Sequence, residues 1–113
     1  MHHEKKPFFL ECGSILNNVE IAYTTSGKLN KSKSNAVWVC HALTANANPQ
    51  EWWPGLVGKE RIINPNEHFI VCANIIGSCY GSTGPLTKNS ETKKGDYSKF
   101  PFITVRDLVN AHI

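Results

Sequence analysis

Two stretches of the 113-residue sequence combine residue types that line reactive pockets. The first is Cys40-His41-Ala42-Leu43-Thr44, and the second is Asn74-Ile75-Ile76-Gly77-Ser78-Cys79-Tyr80-Gly81-Ser82-Thr83-Gly84-Pro85. Each follows an apolar run, and in open α/β sheets ligands bind outside the carboxyl ends of the strands. His41 has the chemistry of a base, but a single histidine at a strand end is more often a structural residue bonding its own loop. Gly77, Gly81 and Gly84 suit close backbone approach to a ligand, and equally suit a tight loop in which glycine takes a positive φ. A phosphate cradle does not fit. No two of these glycines are two residues apart, as G-x-G-x-x-G demands, and Gly27-Lys28 and Gly58-Lys59 precede Leu29 and Glu60 rather than the Ser or Thr of a P-loop. Ser78 follows Ile76 by two residues and Ser82 follows Tyr80, so no Gly-x-Ser-x-Gly elbow supplies a nucleophile. Cys79 is a loop thiol that becomes a nucleophile only beside a positive group.

The remaining cysteines, Cys12, Cys40 and Cys72, form no C-x-x-C pair with one another or with Cys79, which argues against a structural zinc site or a redox motif. His2, His3, His68 and His112 show no ligand spacing beyond the adjacent His2-His3, and no metal is expected. Met1-His2-His3-Glu4-Lys5-Lys6 leads into no apolar segment or small-residue cleavage site. A cytoplasmic location with buried, inert thiols is therefore expected. The chain is 41% apolar and 10% aromatic, enough to form a core and exclude disorder. Its net charge of +3 is scattered along the chain, which gives nucleic-acid binding no support. No apolar run nears the roughly 18 residues of a membrane span.

The elements that must position these stretches follow from periodicity. Residues 8–12 and 19–25 read as two strands of a hairpin joined around Asn17-Asn18. Residues 27–35 are polar and read as a surface loop. Ala36-Val37-Trp38-Val39-Cys40 and Phe69-Ile70-Val71-Cys72-Ala73-Asn74 are continuous apolar runs, which suit parallel strands covered on both faces. The residues between them contain Pro54 and Pro65 and predict only short helical turns. A long loop through residues 87–99 follows, a length that is uncommon without a functional reason. Thr104 and Asp107 then form a capping box for a helix whose apolar face is Val105, Leu108, Val109 and Ile113. Its apolar repeat is still running at Ile113, as if the helix were cut. The fold class expected is α/β: a β-hairpin, two parallel core strands and the start of a helix.

With both loops in hand, the sequence resembles the homoserine O-acetyltransferase family of the α/β-hydrolase superfamily. The resemblance is carried by Phe9-Leu10-Glu11-Cys12-Gly13, by residues 18–25, by Ser34-Asn35-Ala36-Val37 through Thr44, and by Trp52-Trp53. It continues in residues 69–74 and 77–85, in Phe100-Pro101 and in Thr104-Val105-Arg106-Asp107. The run from Cys79 to Pro85 and the His41-Ala42-Leu43-Thr44 run are the most specific. Two positions depart from the usual pattern: Ala45 stands where glycine commonly follows Leu-Thr, and Ser78 where a second glycine is common.

The resemblance implies the N-terminal part of one α/β-hydrolase domain over residues 1–113, ending before the nucleophile elbow. It implies a serine-based ping-pong transfer of an acetyl group from acetyl-CoA to the hydroxyl of L-homoserine, toward methionine, with no bound cofactor. A full-length homodimer is also implied. Nucleophile, acid and base would all lie outside the present residues, and the 113-residue chain alone would be inactive. One catalytic group carries over: the backbone N–H of Leu43 looks like an oxyanion-hole donor. Thr44, Gly77, Gly81, Ser82, Thr83 and Gly84 would line the pocket. A related serine hydrolase or esterase, an acyltransferase using succinyl-CoA or serine, and a small self-contained binding module are the competing readings.

Overall fold

The computed structural model describes residues 2–4, 6–88 and 93–113, so part of the expected 87–99 loop, residues 89–92, lies outside the described residues. Its elements in order are β1 (His2–Glu4), β2 (Phe8–Phe9), β3 (Ile15–Leu16), β4 (Val19–Ile21), β5 (Tyr23–Ser26), β6 (Ala36–Val39), α1 (Pro49–Trp52), β7 (Phe69–Ala73), a 3-10 turn (Tyr97–Lys99) and α2 (Val105–Ala111). They form two compact units, one from Met1–Ala22 with Asn74–Ile113 and the other from Tyr23–Ala73. None of the helices described is long and apolar enough to cross a membrane.

In the first unit the expected hairpin is replaced by two shorter pairings. β2 pairs antiparallel with β3, Phe8 opposite Leu16, and β1 pairs antiparallel with β4, His2 opposite Ile21. The physical reason is a reversal earlier than Asn17-Asn18. Gly13 takes φ +86 and donates to Leu10 O at 2.9 Å, while Leu10 N donates to Ser14 O at 3.0 Å. Positive φ is a conformation glycine adopts without steric cost. Asn18, at φ 56, turns the chain once more. Val19 and Ile21 then point inward and are buried, as their alternation requires.

Helix α2 carries the expected capping box: Asp107 N donates to Thr104 Oγ1 at 3.2 Å, and Thr104 N donates to Asp107 Oδ2 at 2.9 Å. Its expected apolar face does not become core. Val105 is 77% exposed, Val109 51% and Ile113 98%. Among the described residues the helix is instead held by its N-terminus, where the buried Asp107 also accepts Glu11 N at 3.0 Å. Glu11 in turn accepts Thr104 Oγ1 at 2.5 Å and forms an ion pair with Arg106 at 2.7 Å.

The second unit contains a three-stranded sheet of order β5-β7-β6. The two apolar runs pair in parallel, Ala36 opposite Phe69 and Val39 opposite Cys72, as their composition predicts. β5 adds antiparallel on the other side of β7, Tyr23 opposite Ala73. Val37, Val39, Ile70 and Cys72 share one face, where Ala47, Trp52, Leu56, Val57 and Ile63 pack on them. Each fully buried Val or Ile of this kind contributes about 1.5–3 kcal/mol of hydrophobic stabilisation.

Cover on both faces was expected of both runs. β7 comes near it, with Ile70, Cys72 and Ala73 buried, but β6 leaves Ala36 and Trp38 exposed. The expectation of buried thiols also fails for three of the four cysteines, since Cys12, Cys40 and Cys79 are exposed and only Cys72 is buried. Cys12 lies beside the early turn, and Cys40 lies just beyond β6, where its place in an apolar run did not translate into cover.

The helical turns expected between the runs appear as α1. Pro49 starts it, Trp53 N closes it on Pro49 O at 2.8 Å, and Trp52 Nε1 reaches back to Asn46 O at 2.9 Å. The polar loop before β6 is held by Asn35, whose Nδ2 donates to Lys28 O and to Glu67 O, both at 2.9 Å.

Candidate functional site

The His41-Ala42-Leu43-Thr44 stretch leaves β6 in a turn closed by Ala45 N donating to Ala42 O at 2.9 Å. Leu43 and Thr44 form its corner. In such a turn the N–H of the closing residue is consumed, while those of the two corner residues point elsewhere. Neither the Leu43 nor the Thr44 N–H meets an acceptor among the described residues, and the Leu43 side chain is 93% exposed. His41 donates from Nδ1 to Ala42 O at 2.8 Å, so its ring braces its own loop, in line with a structural histidine. Leu43 and Thr44 belong to the 23–73 unit, and the glycine loop to the other unit.

The glycine loop folds back on itself. Gly77 N donates to Thr83 O at 2.8 Å and Ser78 N to Ile75 O at 3.1 Å. Gly77 and Gly81 take φ +91 and +101, and a Cβ at Gly84 would sit 3.1 Å from Ser78 O. Conformation thus favours glycine at Gly77 and Gly81, and close packing favours it at Gly81 and Gly84. Gly77, Gly81, Ser82 and Gly84, together with Ser78, Cys79 and Leu86, border a hollow of about 360 Å³. Among the described residues its lining has no charged side chain, a setting that suits a neutral acyl or ester group better than a phosphate.

Thr83 borders a separate hollow of about 220 Å³ with Asn17, Asn18, Lys88 and Asp96. Both hydroxyls expected to line the pocket are turned inward. Ser82 Oγ donates to Asn74 O at 2.6 Å and accepts Ala22 N at 3.0 Å, and Thr83 Oγ1 accepts Glu20 N at 2.8 Å. Their residues are only 4% and 6% exposed. A substrate would have to displace these bonds to use either hydroxyl.

Two features escaped the sequence. Asn74 is buried and donates from Nδ2 to Tyr80 O at 2.9 Å, while its Oδ1 has no partner among the described residues. Its position at the end of an apolar run was the available signal. The other is the contact of Glu11 with Asp107, which joins residues far apart in the chain and leaves no local trace. Among the described residues no group of three His, Cys, Asp or Glu side chains could hold a metal ion. Burial, reinforced by nearby Cys40, pushes the Cys72 thiol up to about 11, which keeps it protonated and unreactive near neutral pH.

No model of a known protein family matches the chain. Individual relatives do. A homoserine O-acetyltransferase from Cyclobacterium marinum is 50% identical over 102 residues, covering 90% of this chain and 29% of the relative. Another from Chlorobaculum parvum is 50% identical over 105 residues, with 93% and 30% covered. The chain therefore spans less than a third of the length of the curated relatives it matches. The solved homoserine O-acetyltransferase from Bacillus anthracis superposes with a TM-score of 0.83 at 27% identity, over 98% of this chain and 34% of that one. An acetylester hydrolase from Corynebacterium glutamicum gives 0.77 at 29% identity, over 98% and 31%. The architecture shared with such neighbours is the α/β-hydrolase fold.

Proposed function

From a sequence related over 90% of its residues to the homoserine O-acetyltransferase family, we propose that this chain is the opening portion of an acyltransferase domain, supplying half of its oxyanion hole. The parent protein moves an acetyl group from acetyl-CoA to the side-chain hydroxyl of L-homoserine, an activation step toward methionine. In the first half-reaction a serine beyond this chain attacks the thioester carbonyl, and the CoA thiol leaves with a proton. In the second, the homoserine hydroxyl attacks the acyl-serine and the serine is regenerated. Each passes through a tetrahedral oxyanion that needs preorganised donors. The cytoplasmic location, the absence of a bound cofactor and the homodimeric parent belong to the same reading.

The observation that carries it is the Ala42–Ala45 turn, whose geometry leaves the Leu43 N–H without an acceptor at the end of a parallel strand. Leu43→Pro removes that N–H together with a side chain that is 93% exposed, and proline is well tolerated at the first corner of such a turn. In the complete gene product the substitution is expected to lower kcat by about 10²–10³, the effect of deleting one oxyanion donor. The 113-residue chain by itself is expected to release no CoA from acetyl-CoA and homoserine. CoA release by the pure 113-residue chain, or an undiminished kcat in Leu43→Pro, would overturn the assignment.

The 29% identity to an acetylester hydrolase favours one second reading, an esterase on the same scaffold. The acceptor decides between them. O-acetylhomoserine as product marks the transferase, and acetate from simple esters without homoserine dependence marks the hydrolase. Succinyl-CoA and L-serine assayed in parallel define the donor and acceptor.

A further inference from the structure

The glycine loop is fastened by side chains where a sheet would use backbone. β4 ends at Ile21 and β7 ends at Ala73, and Asn74 N to Ala22 O, at 2.8 Å, carries backbone pairing past both ends. Beyond that point hydroxyls take over. Ser82 Oγ stands between Ala22 N and Asn74 O, accepting from the first at 3.0 Å and donating to the second at 2.6 Å. Thr83 engages both backbone groups of Glu20: its N–H donates to Glu20 O and its Oγ1 accepts Glu20 N, each at 2.8 Å. One residue thereby does the work of a strand neighbour. Thr83 O then takes Gly77 N at 2.8 Å and shuts the loop. Gly81 lies against this seam, where a Cβ would come within 3.0 Å of Ala22 Cβ.

We propose that Ser82 and Thr83 are positioning residues whose hydroxyls clamp the Gly77–Gly84 loop to Glu20–Ala22 and so fix the wall of the neutral hollow against which the acyl-transfer substrate binds. The substrate side of this statement rests on the acyltransferase reading above; the clamp itself does not. Both residues are nearly dry and their hydroxyls hold backbone groups, Ser82 as donor and acceptor and Thr83 as acceptor, so they act as positioning rather than catalytic residues. Their effect reaches the substrate through Gly77, Gly81 and Gly84. A looser wall weakens substrate binding and leaves the chemical step unchanged.

The test uses Thr83→Val, which keeps the shape and removes the acceptor, with Thr83→Ser as the conservative rescue, in the complete gene product. Amide hydrogen exchange at Glu20 and steady-state kinetics are the two readouts. Thr83→Val removes the hydroxyl that accepts the part-buried Glu20 N–H, so Glu20 exchange is expected to accelerate about tenfold or more, with a severalfold rise in KM and kcat within about twofold. Thr83→Ser should restore both. Ser82→Ala, read at the Ala22 amide, repeats the test should Thr83→Val fail to fold. Unchanged Glu20 exchange, a fall in kcat at constant KM, or no rescue by serine overturns the proposal. If the unsubstituted protein shows neither acyl transfer nor ester hydrolysis, the acyltransferase reading fails, and the exchange at Glu20 and Ala22 decides the clamp alone.

Discussion

Asp107 shows how one side chain can serve two purposes. The Thr104 N–H donates to its carboxylate and holds it below the usual carboxylate range; burial opposes this, and the Glu11 N–H, the Thr104 hydroxyl and nearby Arg106 add to the lowering. Its ionised form both caps α2 and anchors the 10–13 turn. Because the folded-state pKa is depressed, the stabilisation is complete above the ordinary aspartate pKa of about 3.9 and fades as pH falls through the lower folded value. Acid titration followed by NMR should therefore show the Glu11 and Thr104 amides losing exchange protection together as the Asp107 carboxyl protonates. Protection that persists in Asp107→Asn through the same pH range would refute this role for the charge. The capping partner Thr104 was legible from spacing three residues away. Glu11 was not, because no local pattern encodes a contact between the two ends of the chain.

Helix α2 and the N-terminal strands show what spacing decides at the level of elements. The Thr104-x-x-Asp107 pattern forms as read, and its loss is calculable: Thr104→Ala should cost about 1 kcal/mol, the usual value of an N-cap, measured as a shift in the urea midpoint at constant m. A midpoint unchanged within error would mean that Asp107 alone suffices. The parallel pairing of β6 with β7 was equally legible, since continuous apolar runs seek a central position. The N-terminal strands pair differently from the expected hairpin for a definable reason. Residues 19–25 alternate without interruption, and alternation says which face a residue takes but not which strand it pairs with. At Ala22 the pairing partner changes, and the Ser82 hydroxyl that occupies its N–H comes from a loop 60 residues away. The register of β2 was likewise settled by Gly13, which closes its turn before Asn17-Asn18 can.

At the scale of the whole molecule, one sheet edge matters most. Among the described residues β6 pairs with β7 only, and Ala36–Val39 carries no charge to discourage further pairing. Uncharged apolar edges recruit strands from other chains. The 113-residue chain made alone is therefore expected to self-associate in light scattering after size exclusion, and Ala36→Lys, at an exposed edge position, to reduce it. A sharp monomer peak with cooperative melting in the unsubstituted chain would contradict this.

The sequence by itself determined the α/β character, the parallel core pair and the capped helix, because each rests on residues close in the chain and on periods of two or 3.6 residues. Tertiary structure alone decided that Ser82 and Thr83 face inward as clamps, that three thiols are exposed, and that Leu43 stands at the corner of a turn with its N–H unengaged. Those outcomes depend on which distant backbone group a side chain meets, and on which surfaces another element happens to cover.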